Sequence, residues 1–414
     1  MQTRAQPDPD APHPQERSVL AWMCLLIGVN QLGFGAVIPV LPLYAQSFGV
    51  SQAAIGATVA VYGVARLFTA MPAGRIADLF GRRNALLIGG LVSAAGNLWC
   101  AFAGTYTELV IARFVAGAGA GLTLTAGMIV LADITTIARR GRIMAIYQGV
   151  FLFSVGIGPF PGGYLAEQYG LDVPFLVYGI ASLGAAAVGW FGVAETRPAS
   201  ATATEEAGTP AVPWLAQLRG MLSSVGFRLV AAVSFTGAVA RTGALFAIVP
   251  IVGATRLDLS ATQIGMSMAL GSLAGVLVTY PAGMMVDYFG RKAVIVPTTI
   301  ASGLSFLVYG LAPSFPWFVT ASVVWGMASA MSGAAPAAYA ADVAPKAHAA
   351  TGMSTYRTLS DAGYVAGPIA LGLVADTAGL EAAVFTASAL LVGVALVFAI
   401  GAPETHAGRR ANRA

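Results

Sequence analysis

Residues 74–83, GRIADLFGRR, decide how this chain is read, because the stretch returns at residues 283–292 as GMMVDYFGRK. The two copies are 209 residues apart (283 − 74), and the same gapless offset carries Pro72 onto Pro281, Asp78 onto Asp287, Gly81 onto Gly290 and Arg82 onto Arg291. It also carries Gly117 onto Gly326, Asp133 onto Asp342, Tyr147 onto Tyr356, Gly158-Pro159 onto Gly367-Pro368, Gly163 onto Gly372 and Glu195-Thr196 onto Glu404-Thr405. Chance does not hold one register over so many positions. The chain is two copies of one unit, and an internal repeat has to be read before any local feature.

The composition says what solvent the repeat is built for. With 57% hydrophobic and 10% charged residues over 414 positions, and a mean hydropathy of +0.76, there is more apolar surface than a water-soluble core can hide. Membrane is the class this implies. A spanning helix needs about 20 apolar residues, and twelve such runs are drawn: 19–45, 52–73, 85–104, 107–132, 142–166 and 173–193, then 227–253, 262–286, 293–312, 316–341, 351–375 and 381–402. The expected fold is an all-α membrane protein whose twelve transmembrane helices form two pseudo-symmetric six-helix bundles, residues 19–196 and 227–403. A cytosolic tail (1–18), a Pro-rich cytoplasmic linker (197–226) and a basic tail (404–414) complete it. Within the linker, Trp214, Leu215, Leu218, Met221 and Leu222 share one helical face, as a helix lying on the membrane surface requires; an ordinary loop turn is the alternative.

Basic residues set the orientation. If the N-terminus is cytoplasmic, every Lys and Arg between the runs except Arg256 falls on the inside, so the positive-inside rule places both termini in the cytoplasm. The formal charge of +4 is then a consequence of topology and gives no reason to expect nucleic acid. Residues 1–17 carry no signal-peptide pattern. Cys24 and Cys100 lie in apolar stretches and read as core residues, with no disulfide framework or thiolate metal site. His13, His348 and His406 lie outside the runs, and neither HExxH nor GxxxxGK[ST] occurs. No enzyme, metal or cofactor is expected.

Physical logic and family likeness meet in the repeated loop. Gly74 and Gly81 permit a tight turn and close backbone approach, and Asp78 is placed to pair with arginines. Gly74, Ala77, Asp78, Gly81, Arg82, Arg83 and Leu86 resemble the loop signature of the major facilitator superfamily, with a weaker second copy in the repeat. The likeness runs from about residue 19 to 402. It implies two halves rocking about a central site, and a latch in which Asp78, Arg82 and Arg83 engage Asp133, repeated by Asp287, Gly290, Arg291 and Asp342. Anchoring of loops at the headgroups is the plainer role for these charges.

The run Gly158-Pro-Phe-Pro-Gly162-Gly163 in helix 5 resembles the motif of the twelve-helix drug:proton antiporter group, as does Pro39-Val-Leu-Pro42 in helix 1. Small residues at this spacing also serve helix packing. Arg113 opens an RxxxGxGxG pattern with Gly117, Gly119 and Gly121 that is similar to the helix 4 signature of those antiporters, whose arginine is tied to proton transfer; the alternative is a strut to Asn30 or Gln31.

Ionisable residues inside membrane helices are functional candidates by default, and here they are Arg66, Arg113, Arg241, Arg357 and Asp361. Asp361 follows Arg357 by one helical turn, close enough to meet it. Desolvation and the arginine pull its proton affinity in opposite directions, which suits a carboxylate that binds and releases a proton; a permanent ion pair positioning helix 11 is the alternative. Arg66 reads as structural, and one embedded Asp against four Arg favours neutral or anionic amphiphiles over dications. Asn30, Gln31, Phe34, Tyr147, Phe151, Phe235, Arg241, Tyr356 and Tyr364 are the candidate cavity residues.

The expected function is proton-driven export of small lipophilic molecules across the plasma membrane by a monomer, with protons and the lipid bilayer as its other partners. A symporter or facilitator for uptake of a sugar or organic acid, and a non-transporting receptor or scaffold, are the alternatives.

Overall fold

A computed structural model of the chain describes residues 16–196, 221, 223–333, 335–344 and 349–405. The tail to residue 15, the linker to residue 220 with most of its expected surface helix, the three histidines and the basic tail from 406 lie outside the described residues, as does the side chain of Asp287.

Among the described residues, twelve helices are long and apolar enough to cross a membrane. They are α1 (Glu16–Val37), α2 (Gln52–Phe80), α3 (Arg82–Ala101), α4 (Tyr106–Asp133), α5 (Ile137–Ile157 continued by Pro159–Tyr169) and α6 (Val173–Gly192). The second repeat gives α7 (Val225–Val239, Ala240–Ile248 and Val249–Arg256), α8 (Ala261–Phe289), α9 (Arg291–Leu311), α10 (Phe315–Gly333 and Ala335–Val343), α11 (Ala349–Ala378) and α12 (Leu380–Gly401). Helix starts carry their signals: Thr105 and Glu108 form a capping box at α4, and Ser260 and Gln263 form one at α8, each satisfying amides that the first turn leaves without acceptors.

The structure departs from the expected boundaries in four places. Helix 1 does not run to residue 45. It ends at Val37, turns through residues 38–40 and resumes as the short helix Leu41–Gln46, because Pro39 has no N–H to continue the ladder. The expected tail also gives way early, since α1 starts at Glu16, whose buried carboxylate pairs with Arg139 at 2.9 Å. The GRIADLFGRR loop is mostly helix: nothing in GRIADLF breaks it, so α2 continues to Phe80, Gly81 is the joint and Arg82 opens α3. Finally, the middle of α7, Ala240–Ile248, is π-helical, a local widening that periodicity does not reveal.

Contacts divide the chain into two compact units that differ from the expected halves. One comprises Met1–Gly35, Val64–Gly158 and Asp172–Glu205; the other comprises Ala36–Gly63, Pro159–Leu171 and Glu206–Ala414. In the first, α3 packs closely on α4 and α6, because glycines face backbone: a Cβ on Gly119 would stand 2.1 Å from the Ser93 amide nitrogen, and one on Gly96 2.3 Å from that of Ala116. Met23, Leu26, Ile27, Leu86, Val130, Leu131 and Tyr147 fill its core. In the second, α8 packs on α10 and α9 on α12, and Phe306, Tyr309, Phe318 and Trp325 form a chain of ring contacts in which Tyr309 and Ser322 share a 2.7 Å hydrogen bond. Large apolar side chains also face outward, with Ile400 88% and Leu277 78% exposed. Such surface is unfavourable in water and suited to lipid.

The α3–α4 crossing gives a direct test. Gly119→Leu drives a side chain into the backbone of α3 and is expected to cost at least the ~1–3 kcal/mol of an overpacked core. Gly184→Leu, at a position with nothing within 4 Å of a Cβ, leaves the thermal midpoint in detergent unchanged.

Candidate functional site

At the α2–α3 joint the backbone of Gly81 takes φ 92° and ψ 157°, a conformation costly for any residue with a Cβ. Gly290 repeats it at φ 90° and ψ 162°. This turn places Arg82 at the head of α3, where its guanidinium bridges two helices: Nη1 donates to Asp78 Oδ1 at 2.7 Å and to the Ala77 carbonyl at 3.1 Å, and Nε donates to Asp133 Oδ2 at 2.9 Å. Asp78 and Arg82 are one turn apart across the joint, and Asp133 ends α4. The expected latch partners are therefore brought together in the first unit. Gly74, the first residue of the signature, has open space around it.

The site has members that the sequence reading did not assign. Glu195, just beyond α6, accepts the Arg82 amide at 2.9 Å and the Arg83 amide at 3.3 Å, so it supplies the acceptors missing from the first turn of α3. A Cβ on Gly81 would meet that carboxylate at 2.4 Å. Arg83 does not reach Asp133; its Nε donates to the Trp190 carbonyl and its guanidinium stacks over the Trp190 ring at 4.2 Å. Thr196 donates to Asp133 Oδ2 at 3.2 Å. The one signal for these residues is that Glu195-Thr196 returns as Glu404-Thr405 in the repeat.

In the second unit the counterpart is looser. Arg291 lies 3.1 Å from Asp342 without hydrogen-bond alignment, and its side chain is more exposed than that of Arg82. Lys292 Nζ donates to the Ala402 carbonyl and the Tyr339 hydroxyl to that of Pro403, both at 2.7 Å. These bonds tie the start of α9 and α10 to the chain after α12.

The helix 5 motif is a break followed by close contact. Helix α5 turns at Gly158, and a Cβ on Gly162 would stand 2.0 Å from the Ala36 carbonyl oxygen, one on Gly163 2.1 Å from that of Ala261. Pro159, with no N–H, sits at the restart of the helix.

The embedded charges fall into two groups. Arg113 is 2% exposed on α4, and its Nε and Nη1 have no hydrogen-bond partners. Buried Asn30 likewise has neither amide atom bonded, so an Arg113–Asn30 strut is not formed; Gln31 is buried beside it. On α11, Asp361 is half-buried and Arg357 exposed. Gly363 on the same helix abuts the Phe235 carbonyl of α7, and at ~100° per residue Asp361 points away from that packed face. Arg241 opens the π-helical turn of α7 and its Nη2 donates to Ser329 Oγ of α10 at 2.5 Å.

The aromatic candidates separate similarly. Tyr147 is 1% exposed and belongs to the first unit's core, which corrects its assignment to a cavity: its ring packs on α1 and α4, beside Met23 and Gly127. Phe151 packs against that core. Tyr356 shares a 2.5 Å hydrogen bond with Ser234 of α7. Phe34 and Tyr364 are half-buried and Phe235 is exposed.

Comparison with known proteins shows the family and the fold. The sequence profile described as the Major Facilitator Superfamily matches residues 23–275 and 230–414. An MFS-type transporter of Methanocaldococcus jannaschii is 24% identical over 353 residues, 85% of this chain and 89% of that one. Multidrug resistance protein MdtL of Klebsiella pneumoniae is 24% identical over 276 residues, 66% of this chain and 67% of its own. Among solved structures, a D-xylose-proton symporter superposes with a TM-score of 0.73 at 17% identity, covering 95% of this chain and 99% of that one.

The asymmetry between the two latches is measurable. Arg82→Gln strands the carboxylate of Asp133 in a mostly buried site and is expected to cost ~3 kcal/mol. Arg291→Gln, at an open pair, costs less than ~1 kcal/mol. Thermal unfolding of the two purified variants in detergent ranks them.

Proposed function

Because the chain belongs to the major facilitator superfamily, and is a multi-pass membrane transporter rather than an enzyme, we propose that it exports small lipophilic organic molecules by proton antiport with alternating access. The observation that carries this reading is Asp361. It is a half-buried carboxylate in a membrane helix, directed away from the face that α11 packs on α7, with an arginine one turn before it. A carboxylate so placed takes up a proton when the site meets the proton-rich side and yields it when the site meets the other.

The direction of transport follows from the helix 5 motif, whose resemblance is to antiporters, and from the likeness to a protein named for multidrug resistance. The distribution of basic residues favours cytoplasmic termini, and we read the membrane as the plasma membrane. Embedded Arg113, Arg241 and Arg357 against one Asp361 favour neutral or anionic amphiphiles as cargo. Arg241 offers a guanidinium to an acidic headgroup, while Phe235 and Tyr364 offer ring faces. One proton moving through 100 mV supplies about 2.3 kcal/mol, enough to concentrate an uncharged cargo roughly fiftyfold.

The test is proton movement in proteoliposomes loaded with a pH-sensitive dye, wild type beside Asp361→Asn, as neutral and anionic amphiphiles are added. Cargo-triggered proton flux in wild type, lowered at least tenfold in the variant, supports antiport through Asp361. Equal flux in the variant reduces Asp361 to a partner of Arg357. Cargo flux without protons makes the chain a facilitator, and proton flux in the direction of the cargo makes it a symporter.

A further inference from the structure

At the end of the helices opposite the two GRIADLFGRR-type joints, the second unit contains two crossings related by the same offset of 209 residues. In one, α2 meets α11: a Cβ on Gly56 would stand 2.0 Å from the Pro368 carbonyl oxygen, and one on Gly372 2.6 Å from the Gln52 oxygen and Ala53 Cα. In the other, α8 meets α5: a Cβ on Gly265 would stand 2.0 Å from the Pro159 oxygen, and one on Gly163 2.1 Å from the Ala261 oxygen. Gly56 corresponds to Gly265, Pro159 to Pro368 and Gly163 to Gly372.

Each crossing ends in a carboxylate aimed at the start of the facing helix. Asp376 Oδ1 accepts the Gln52 amide at 2.7 Å and Oδ2 accepts the Ala53 amide at 2.9 Å. Glu167 Oε2 accepts the Thr262 amide at 3.1 Å. Glu167 corresponds to Asp376, and Gln52 and Ala53 to Ala261 and Thr262. The amides are the first of α2 and α8, which have no acceptor within their own helix and sit at its positive end. A carboxylate supplied from the other repeat meets both needs only while the two helix ends are together.

We propose that Glu167 and Asp376 are a paired catch that holds this end of the transporter shut, and that the release of both caps is a required step in opening it. They are positioning residues: they touch no cargo, and set the ratio of closed to open forms. The glycines bring the backbones within reach, and the carboxylates supply the attachment that can be broken, since water replaces them on the amides when the ends part. Beside these amides, Glu167 also accepts from the Ser260 side chain and Asp376 from that of Ser51, so each side of the catch is held by more than one donor. This inference rests on the alternating-access reading above, with the closed end facing away from the cytoplasm.

The experiment measures the two ends separately and needs no cargo. In full-length protein carrying Cys24→Ala and Cys100→Ala, reconstituted in lipid nanodiscs, spin labels at Ser47→Cys and Ala378→Cys report this end. Labels at Gly141→Cys and Gly283→Cys, both positions with open space, report the other. Losing a helix cap shifts an equilibrium severalfold, so Asp376→Ala with Glu167→Ala is expected to raise the ratio of long to short Ser47–Ala378 distances about tenfold or more. The Gly141–Gly283 distances shorten in step, and each single alanine variant has a smaller effect than the two together. Unchanged distributions overturn the catch, as does equal broadening at both ends, which marks loss of fold. Antiport is judged independently: a wild type that moves no protons but shows the reciprocal shift keeps the catch and loses the antiport reading.

Discussion

Hydrocarbon offers no hydrogen bonds, so a chain that lives in it must find a partner for every polar group from its own atoms. The helices answer this for the backbone over most of their length. Their ends are where the need is left open, and the ends are where the chain has placed its charges. Arg82, Asp78, Asp133 and Glu195 satisfy one another and the first turn of α3 in a single cluster. Glu16 pairs with Arg139 between α1 and α5. Where the helix ends face the opposite way, Asp376 and Glu167 cover the open amides of α2 and α8.

Duplication makes these solutions recur without making them equal. Gly81 and Gly290 hold the same unusual backbone conformation to within a few degrees, because the joint they form admits little else. The side chains around them have diverged. Arg82 is held by Asp78 and Asp133 together, while Arg291 meets Asp342 at 3.1 Å in a more open setting. Backbone geometry is constrained by sterics, and a partly hydrated ion pair contributes little to stability, so the second copy has had room to drift. The same contrast appears in transport terms: Asp361, the carboxylate read as embedded in the membrane, lies in the second repeat, and its counterpart position in the first repeat, Leu152, is apolar.

Much of the latch was legible because its spacing is local. Asp78 and Arg82 lie one turn apart, and the apolar run before Asp133 fixes where α4 ends. Glu195 was not legible as a member, since it meets Arg82 from the far end of α6, 113 residues on, and only its recurrence as Glu404 hinted at a role. Tyr147 looked like a cavity aromatic and is core, because the rotation of α5 about its own axis is decided by neighbours. The π-helical turn at Ala240–Ile248 leaves no mark in a pattern of apolar residues, and neither does the hydrogen bond that Arg241, within it, donates to Ser329.

By itself the sequence determined the solvent, the twelve helices, the duplication and the family, because each follows from composition or from regular spacing along one strand of chain. It also marked Gly81 and Gly290 as places for a turn, whereas Gly74, read the same way, lies inside α2. Only the tertiary structure decided which charges meet: the bridge of Arg82 to Asp133, the cap of Glu195 on α3, the missing bond between Arg113 and Asn30, and the facing of Asp376 to Gln52 across more than three hundred residues. The physical reason is range. A helix is written in neighbours a few residues apart, whereas a hydrogen bond between helices depends on how they rotate and cross, and that is fixed by packing of the whole unit.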